Sequence, residues 1–436
     1  MEVWIVLLAL AWTFGFLRGR YRPGTVIVAS RPVLICMLVW LAFVWLQLVP
    51  LPIGLLELIS PQSSHWHIAA AFPDAISSAP LTLDRYSTLE AALKSTVYII
   101  FFALGLILLD NRERLRIATY VLIASGTVQA LYGAALSFQH QGEQASGTFV
   151  NRNHFAAYLV MCLSVGVGVL IASLSGAKHH SWGQFFRGIM QWIITPKMGL
   201  RLLLVTMVIA LVLTRSRMGN FSFFVGLFSI GMIALAVSKT ALRSMIVVIA
   251  SLVLIDLFIV GAYFGTQRVV ESIGQTTLQS EDRDEVAGYA IRMWKDYPVF
   301  GAGLGSFAAV FPRYSGEGTV QSYTHAHNDY LEFAAETGVA GIVLLGLMVS
   351  MSFLAALRTQ LTRTDPILRG ASFASMMGTI ALAIHSSVDF NLQIPANALM
   401  FILLLAFGWA SRYAAGRETD SGPDADGPRH RRQPGA

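Results

Sequence analysis

Apolar runs of membrane-spanning length recur along this chain from end to end, separated by polar connections. Eleven can be read, at about 3–17, 33–55, 92–109, 116–138, 154–174, 199–214, 219–237, 243–265, 328–357, 370–390 and 394–412. Inside a bilayer no water satisfies backbone N–H and C=O groups, so each run is expected to close its own hydrogen bonds as a helix. The pattern predicts an all-α polytopic membrane protein. Residues 1–265 would form N-terminal transmembrane helices, 266–327 a large cap loop, 328–412 C-terminal transmembrane helices and 413–436 a disordered tail. Composition supports this. Of 436 residues, 55% are hydrophobic and 13% charged, against about 25% charged in soluble domains.

Loop charges set the orientation. One set of alternate loops holds Arg18, Arg20, Arg22 and Arg31; Arg112, Arg114 and Arg116; Lys178, Arg187 and Lys197; Lys239 and Arg243; and Arg358, Arg363 and Arg369. The other set is poor in Lys and Arg for its length, with Arg85 in the loop near 57–91 and Arg152 in 139–153. Positive loops stay in the cytoplasm, so the arginine-poor side and the long loop before residue 328 are expected outside. The N-terminus then falls outside and the C-terminus inside. The net charge of +6 lies mostly in these short loops. That is a topology signal and excludes a nucleic-acid stripe. Cys36 and Cys162 both sit in apolar runs and suggest neither a disulfide framework nor a zinc site. Arginines follow the first apolar run instead of preceding it, so it reads as an uncleaved helix.

Chemistry-bearing residues collect at the outer ends of these runs. His325, His327, Asn328, Asp329, Glu332 and Glu336 crowd into the stretch that leads into the ninth run. Ionisable groups at a membrane boundary are costly unless paired or wet, so they mark a candidate site. On a helix Asp329, Glu332 and Glu336 share one face. The plainer reading of Asp329 is an acid at a helix start. Arg215 and Arg217 occupy a very short outer hairpin, where the positive-inside rule disfavours them. A guanidinium there suits a phosphate, or snorkels to lipid headgroups. His385 and Asp389 fall four residues apart near the end of the tenth run, as a catalytic or a structural pair. Asn151, Asn153 and His154, where the fifth run begins, could bind sugar hydroxyls or cap a helix. Arg283 and Arg292 lie in the cap, where a lone arginine is usually just solvated. No HExxH or Walker sequence occurs. Arginines, a histidine and carboxylates without metal-ligand spacing suit transfer from a phosphate-linked substrate.

At these residues the chain resembles the O-antigen ligase and polymerase superfamily. The family's signature is His, then Asn, Ser or Gln, nine residues, then Gly-x-x-Gly. It is matched by His327, Asn328, Gly338 and Gly341. Ser216 and Arg217 match the family's Ser-Arg pair in a short periplasmic hairpin. Pro298, Gly301 and Gly303 match a Pro-x-x-Gly-x-Gly element in the cap, and the arginine about fifteen residues earlier falls on Arg283. The segments from Gly147 to Leu159 and from His385 to Pro395 also resemble family elements.

The resemblance implies a GT-C-like, metal-independent, inverting glycosyltransferase of the bacterial inner membrane with its site facing the periplasm. The donor would be a glycan on undecaprenyl diphosphate, and the acceptor lipid A–core or a polysaccharide. No cofactor and no nucleic acid would take part, and lipids would surround the chain. His327, Arg217 and Arg283 would be catalytic: His327 as general base, the arginines on the diphosphate. Arg215, Arg292, His325, Asn328, Glu332, Asn153, His385 and Asp389 would bind substrate. A polymerase of lipid-linked repeat units fits the Asn-Asp-Tyr-Leu-Glu-Phe wording after His327 as well as a ligase does. A solute transporter is the reading from a different class. It should show broken helices and charges near the midplane, whereas most polar groups here lie at the outer ends, Asp256 excepted.

Overall fold

A computed structural model describes residues 2–20, 22–72, 74–139, 143–174, 198–237, 285–315 and 323–415. The eighth apolar run with Asp256, the loop cations Lys178, Arg187, Lys197, Lys239 and Arg243, the cap residue Arg283 and the tail beyond 415 lie outside the described residues. The chain is an all-α polytopic membrane protein.

Its helices, in order, are α1 (Glu2–Leu17), α2 (Thr25–Ala29), α3 (Arg31–Leu46), α4 (Ile53–Ile59), α5 (Pro61–Ala71), α6 (Arg85–Leu108), α7 (Arg112–Gln139), α8 (Arg152–Leu174), α9 (Met198–Leu213) and α10 (Arg217–Val237). They continue as α11 (285–296), α12 (Phe307–Val310), α13 (Asp329–Thr362), α14 (Pro366–His385) and α15 (Pro395–Tyr413). Among the described residues, α6, α7, α8, α13, α14 and α15 are long and apolar enough to cross a bilayer, and α1, α3, α9 and α10 are shorter apolar helices. Each of the ten predicted runs within the described residues is therefore a helix.

The boundaries differ where local chemistry overrides hydropathy. The second run stops at Leu46, because Pro50 and Pro52 follow and proline neither donates to a helix nor lets its predecessor stay helical. Leu51–Pro52 instead pairs antiparallel with Ser78–Ala79. The third run starts earlier, at Arg85, because the Asp84 side chain accepts from the N–H groups of Tyr86 and Ser87 and caps α6. The tenth run ends at His385, not near 390. His385 and Asp389 therefore do not share a helix face; the turn over Ser386–Asp389 separates them.

Nearly all of the apolar window of α8 is buried. The helix is enclosed by α7, α9, α10, α14 and α15. It approaches α14 so closely that a Cβ on Gly168 would lie 2.2 Å from the Gly370 carbonyl oxygen, the small-residue contact that lets membrane helices touch backbone to backbone. The two ends of the bundle are chemically distinct. At one, Thr25 donates to the Tyr413 carbonyl, Arg112 pairs with Asp365 and Arg363 reaches the Arg412 carbonyl. This arginine end gathers the basic loops within the described residues. The starts of α6, α8, α10, α13 and α15 lie at the other.

That second end carries a cap with its own core, in which Val286, Tyr289, Met293, Tyr297, Phe307 and Phe311 are buried together. The cap is anchored where α13 breaks. Gly338 has φ +62° inside the helix, a region open to glycine and costly for other residues. The break frees backbone groups on both sides, and the cap loop takes them up. Ala302 and Gly303 donate their N–H groups to the carbonyls of Ala335 and Glu336, and Val339 and Ala340 donate to Pro298 and Val299. The Gln47 amide bridges the Phe300 and Glu336 carbonyls and accepts from Leu304 N–H. A Cβ on Gly301 would lie 2.0 Å from the Glu336 carbonyl carbon, and one on Gly338 2.3 Å from Val299 backbone. The two glycine motifs are thus the two halves of one joint.

Candidate functional site

The joint fixes the first turns of α13, and these hold the loop before them. Glu332 is buried and uses both carboxylate oxygens on that loop: one lies 2.8 Å from His325 Nδ1, the other accepts the Ala326 N–H at 2.8 Å. Asn328 caps α13 by accepting from Leu331 N–H and donates its amide to the Ser387 carbonyl. Asp329 is buried and accepts from Leu392 N–H, while its own N–H donates to the Ser386 and Asp389 carbonyls. Clamped from both sides, His327 sits at φ +49°, one of two non-glycine residues with positive φ among the described residues. Such a conformation costs about 1–2 kcal/mol. It persists when the surroundings over-determine it, and it clusters at functional sites.

His327 Nδ1 faces Asp389 Oδ1 at 3.7 Å, and the side chain keeps 26% of its surface exposed. Asp389 is buried in the turn after α14, with Oδ1 accepting the Phe390 N–H at 2.9 Å. On its other flank lies His154, from the first turn of α8, with Nε2 at 3.5 Å from the same oxygen. Burial alone would push the Asp389 carboxyl up. The imidazoles of His154, His327 and His385 outweigh it and hold the group well below the usual carboxylate range. The ionised carboxylate of Asp389 is therefore the form that the facing imidazoles favour.

Phe390 is the aromatic hub of this cluster. His325 stacks on its ring at 4.2 Å, while His154 and His327 meet it edge-on at 4.6 and 4.9 Å. Three histidines from two distant segments are thereby held around one phenylalanine and one carboxylate. His385 ends α14 and is buried beside them.

The arginine hairpin lies at the same end. Arg215 is the second residue with positive φ, at +52°, and Arg217 is exposed on the first turn of α10. Two residues on, Gly219 packs against Ala156 of α8, where a Cβ would be 2.7 Å from the Ala156 Cβ. Ala156 is two residues beyond His154, so the hairpin and the histidine cluster share the start of α8. Asn153 is on that same first turn, and its N–H donates to Asn151, which caps the helix. Arg292 lies elsewhere, on the exposed side of α11 with its guanidinium 4.4 Å over the Tyr289 ring.

Of the residues singled out in the sequence, His327, His325, Asn328, Glu332, His385 and Asp389 come together. Arg215, Arg217 and Asn153 flank them on the hairpin and on α8. The polar ends of Asn328 and Glu332 are engaged by the protein itself. Sequence reasoning missed Phe390, one apolar residue among many, and the pairing of His154 with Asp389. Among the described residues, no group of three or more His, Cys, Asp or Glu side chains has metal-holding geometry.

Among curated proteins none matches this chain. Residues 202–346 match the protein-family model described as O-antigen ligase. That stretch contains the arginine hairpin, the described cap helices, His327 and the Gly338 joint; His154, Asp389 and Phe390 lie beyond it. Over this stretch, about a third of its length, the chain is similar to the O-antigen ligase family.

Proposed function

We propose that this protein transfers a glycan from undecaprenyl diphosphate to a lipid A–core or polysaccharide acceptor, at the periplasmic face of the bacterial inner membrane. The observation that carries the reading is His327: strained, part-exposed and backed by the buried Asp389 at 3.7 Å. With the Asp389 carboxylate facing Nδ1 at 3.7 Å, the tautomer with its proton on Nδ1 is favoured and Nε2 keeps its lone pair for a proton. The acceptor hydroxyl oxygen attacks the sugar C1, and its proton passes to His327 Nε2. The C1–O bond to the diphosphate breaks, and the electron pair leaves on the diphosphate oxygen. Arg217, with Arg215 beside it in the hairpin, and Arg283 stabilise that developing charge, as planar guanidinium groups do on phosphate. Direct displacement inverts C1 and needs no metal. Asn153 and His325 border the path of the glycan and acceptor.

A polymerase joining lipid-linked repeat units would use the same donor and the same histidine. Deletion of the gene separates the two readings. Core bearing a single repeat identifies a polymerase, and free lipid-linked polymer beside bare core a ligase. Complementation with His327→Ala should leave the chain in the membrane and abolish transfer. Normal surface glycan in that strain would remove His327 from the mechanism. Transfer should also persist in EDTA; inhibition reversed by a divalent ion would overturn the metal-free step.

A further inference from the structure

His154 has no part in the transfer step as written, yet it is nearer to Asp389 than His327 is. Its Nε2 lies 3.5 Å from Asp389 Oδ1, against 3.7 Å for His327 Nδ1, and both approach the same oxygen. Its surroundings admit few other partners. The residue is 4% exposed, its ring edge meets Phe390, and its backbone carbonyl accepts the Asn397 amide at 3.0 Å. Nε2 has no hydrogen-bond partner among the described residues apart from this approach to Asp389.

We propose that His154 is a positioning residue for the transfer step: it shares the Asp389 carboxylate with His327 and so sets how readily His327 holds a proton. This rests on the reading of His327 as the base.

The sign follows from electrostatics. A neutral His154 with its Nε2–H turned toward Asp389 at 3.5 Å partly offsets the carboxylate's charge and weakens its pull on a proton at His327. A protonated His154 opposes an imidazolium at His327 directly, as a like charge. In either state His154 works against a proton on His327 through the carboxylate they both face. Other charged groups bear on the cluster from every element around it. Asp329 and Glu332 come from α13, His385 from α14, His325 from the loop, Arg152 from the start of α8, and Arg215 and Arg217 from the hairpin. These are common to the wild type and the variants below, so they set the baseline and not the difference. A base that deprotonates an acceptor must shed its proton between turnovers, and a carboxylate used wholly by His327 would hold that proton too firmly.

The test is the site-resolved titration of the histidine rings by exchange of the imidazole C2 proton, followed by mass spectrometry on the full chain in nanodiscs. No glycan is needed. His154→Phe keeps a ring against Phe390 and removes the donor; it should raise the His327 midpoint by roughly half to one pH unit. His154→Gln keeps an N–H for Asp389 and should raise it less. Coupling between two sites is reciprocal, so His327→Ala should raise the His154 midpoint by the same amount as His154→Phe raises that of His327. That arm stays informative if the buried phenylalanine variant does not fold. An unmoved His327 midpoint in a folded His154→Phe chain, or an unmoved His154 midpoint in His327→Ala, overturns the proposal whatever the glycan assay shows. Shifted midpoints together with normal surface glycan in a His327→Ala strain would instead sink the assignment of His327 as base and leave the coupling standing.

Discussion

The same helices carry two differently built ends. At the arginine end, charge is closed upon itself. Arg112 Nε meets Asp365 at 2.8 Å, Arg114 pairs with Asp110, Arg116 with Glu113, and Arg363 donates to backbone carbonyls at the close of α15. At the cap end the groups are histidines and carboxylates on strained or capped loops. Buried polar atoms without hydrogen-bond partners among the described residues occur at both ends, but Arg112 Nε and Asp365 Oδ2 at the first face each other as an ion pair. At the second, His154 Nε2 and His327 Nδ1 approach Asp389 no closer than 3.5 Å, and the side-chain oxygen and nitrogen of Asn391 have no partner among the described residues. Buried polar atoms are nearly always satisfied unless they serve some other purpose. The first end ties helices together. The second keeps polar capacity in reserve beside a part-exposed imidazole, which is where a substrate would draw on it.

On that contrast, the largest effect should come from the centre of the cap end. Asp389→Asn preserves shape and removes the charge behind His327. It should lower transfer by about a hundredfold or more, read as surface glycan in a complemented deletion strain, with membrane levels of the chain little changed. Its stability signature is pH-dependent. Asp389 is held below its ordinary range in the fold, so its contribution is full above that range and is lost as pH falls through the depressed value. Denaturation curves of wild type and Asp389→Asn should therefore differ near neutrality and converge in strong acid. A variant with full transfer, or curves that never converge, would mean the two ends do not differ as described.

The joint should show the next largest effect. Gly301→Ala places a Cβ 2.0 Å from the Glu336 carbonyl carbon at a φ of +71°. The cap loop and the break in α13 cannot both keep their positions, at a cost of about 3 kcal/mol. Lower thermal stability and lost transfer are expected together, because the joint orients the turn that holds His325 and His327. Unaltered transfer would separate the cap from the site.

Much of this was visible in the residues before the fold. Runs of apolar residues announce helices because the bilayer leaves the backbone no other way to satisfy itself, and all ten runs within the described residues became helices. His327, Asn328 and the two glycines could be read from spacing, because the loop, the cap and the break are local in sequence. What was not legible is tertiary. Nothing near His154 encodes that its partner is Asp389, since that proximity exists only once α8 and α14 cross at Gly168 and Gly370. Phe390 was invisible because an aromatic side chain in an apolar protein carries no pattern of its own. Asp389 was placed on the wrong element because hydropathy runs on past His385, whereas two serines and the turn they favour end the helix there.

The arginine end supplies the opposite outcome and a smaller effect. Asp365 caps α14 by accepting from Ile367 and Leu368 N–H, and its fully buried carboxylate meets Arg112, whose side chain is 27% exposed. Asp365→Ala should destabilise the chain by about 2 kcal/mol, most of it from the lost cap, since a half-solvated arginine partner contributes little. Transfer per folded molecule should not change. A fall in transfer beyond the loss of folded chain would show that this end reaches the site after all.

The smallest effect sharpens the comparison by bounding it. Arg116 and Glu113 lie one turn apart on α7, 2.7 Å from each other, with side chains 46% and 56% exposed. Solvent screens such a pair and side-chain entropy offsets much of the attraction, so Arg116→Ala should change stability by less than about 0.5 kcal/mol. The arginine also carries part of the positive charge expected to hold its loop on the cytoplasmic side, but Arg112 and Arg114 remain beside it. Orientation should therefore survive, as read by cysteine accessibility in the α6–α7 loop from either side of the membrane. Inverted labelling would mean that Arg116 serves topology and not the fold, and that the arginine end owes its composition to insertion more than to packing.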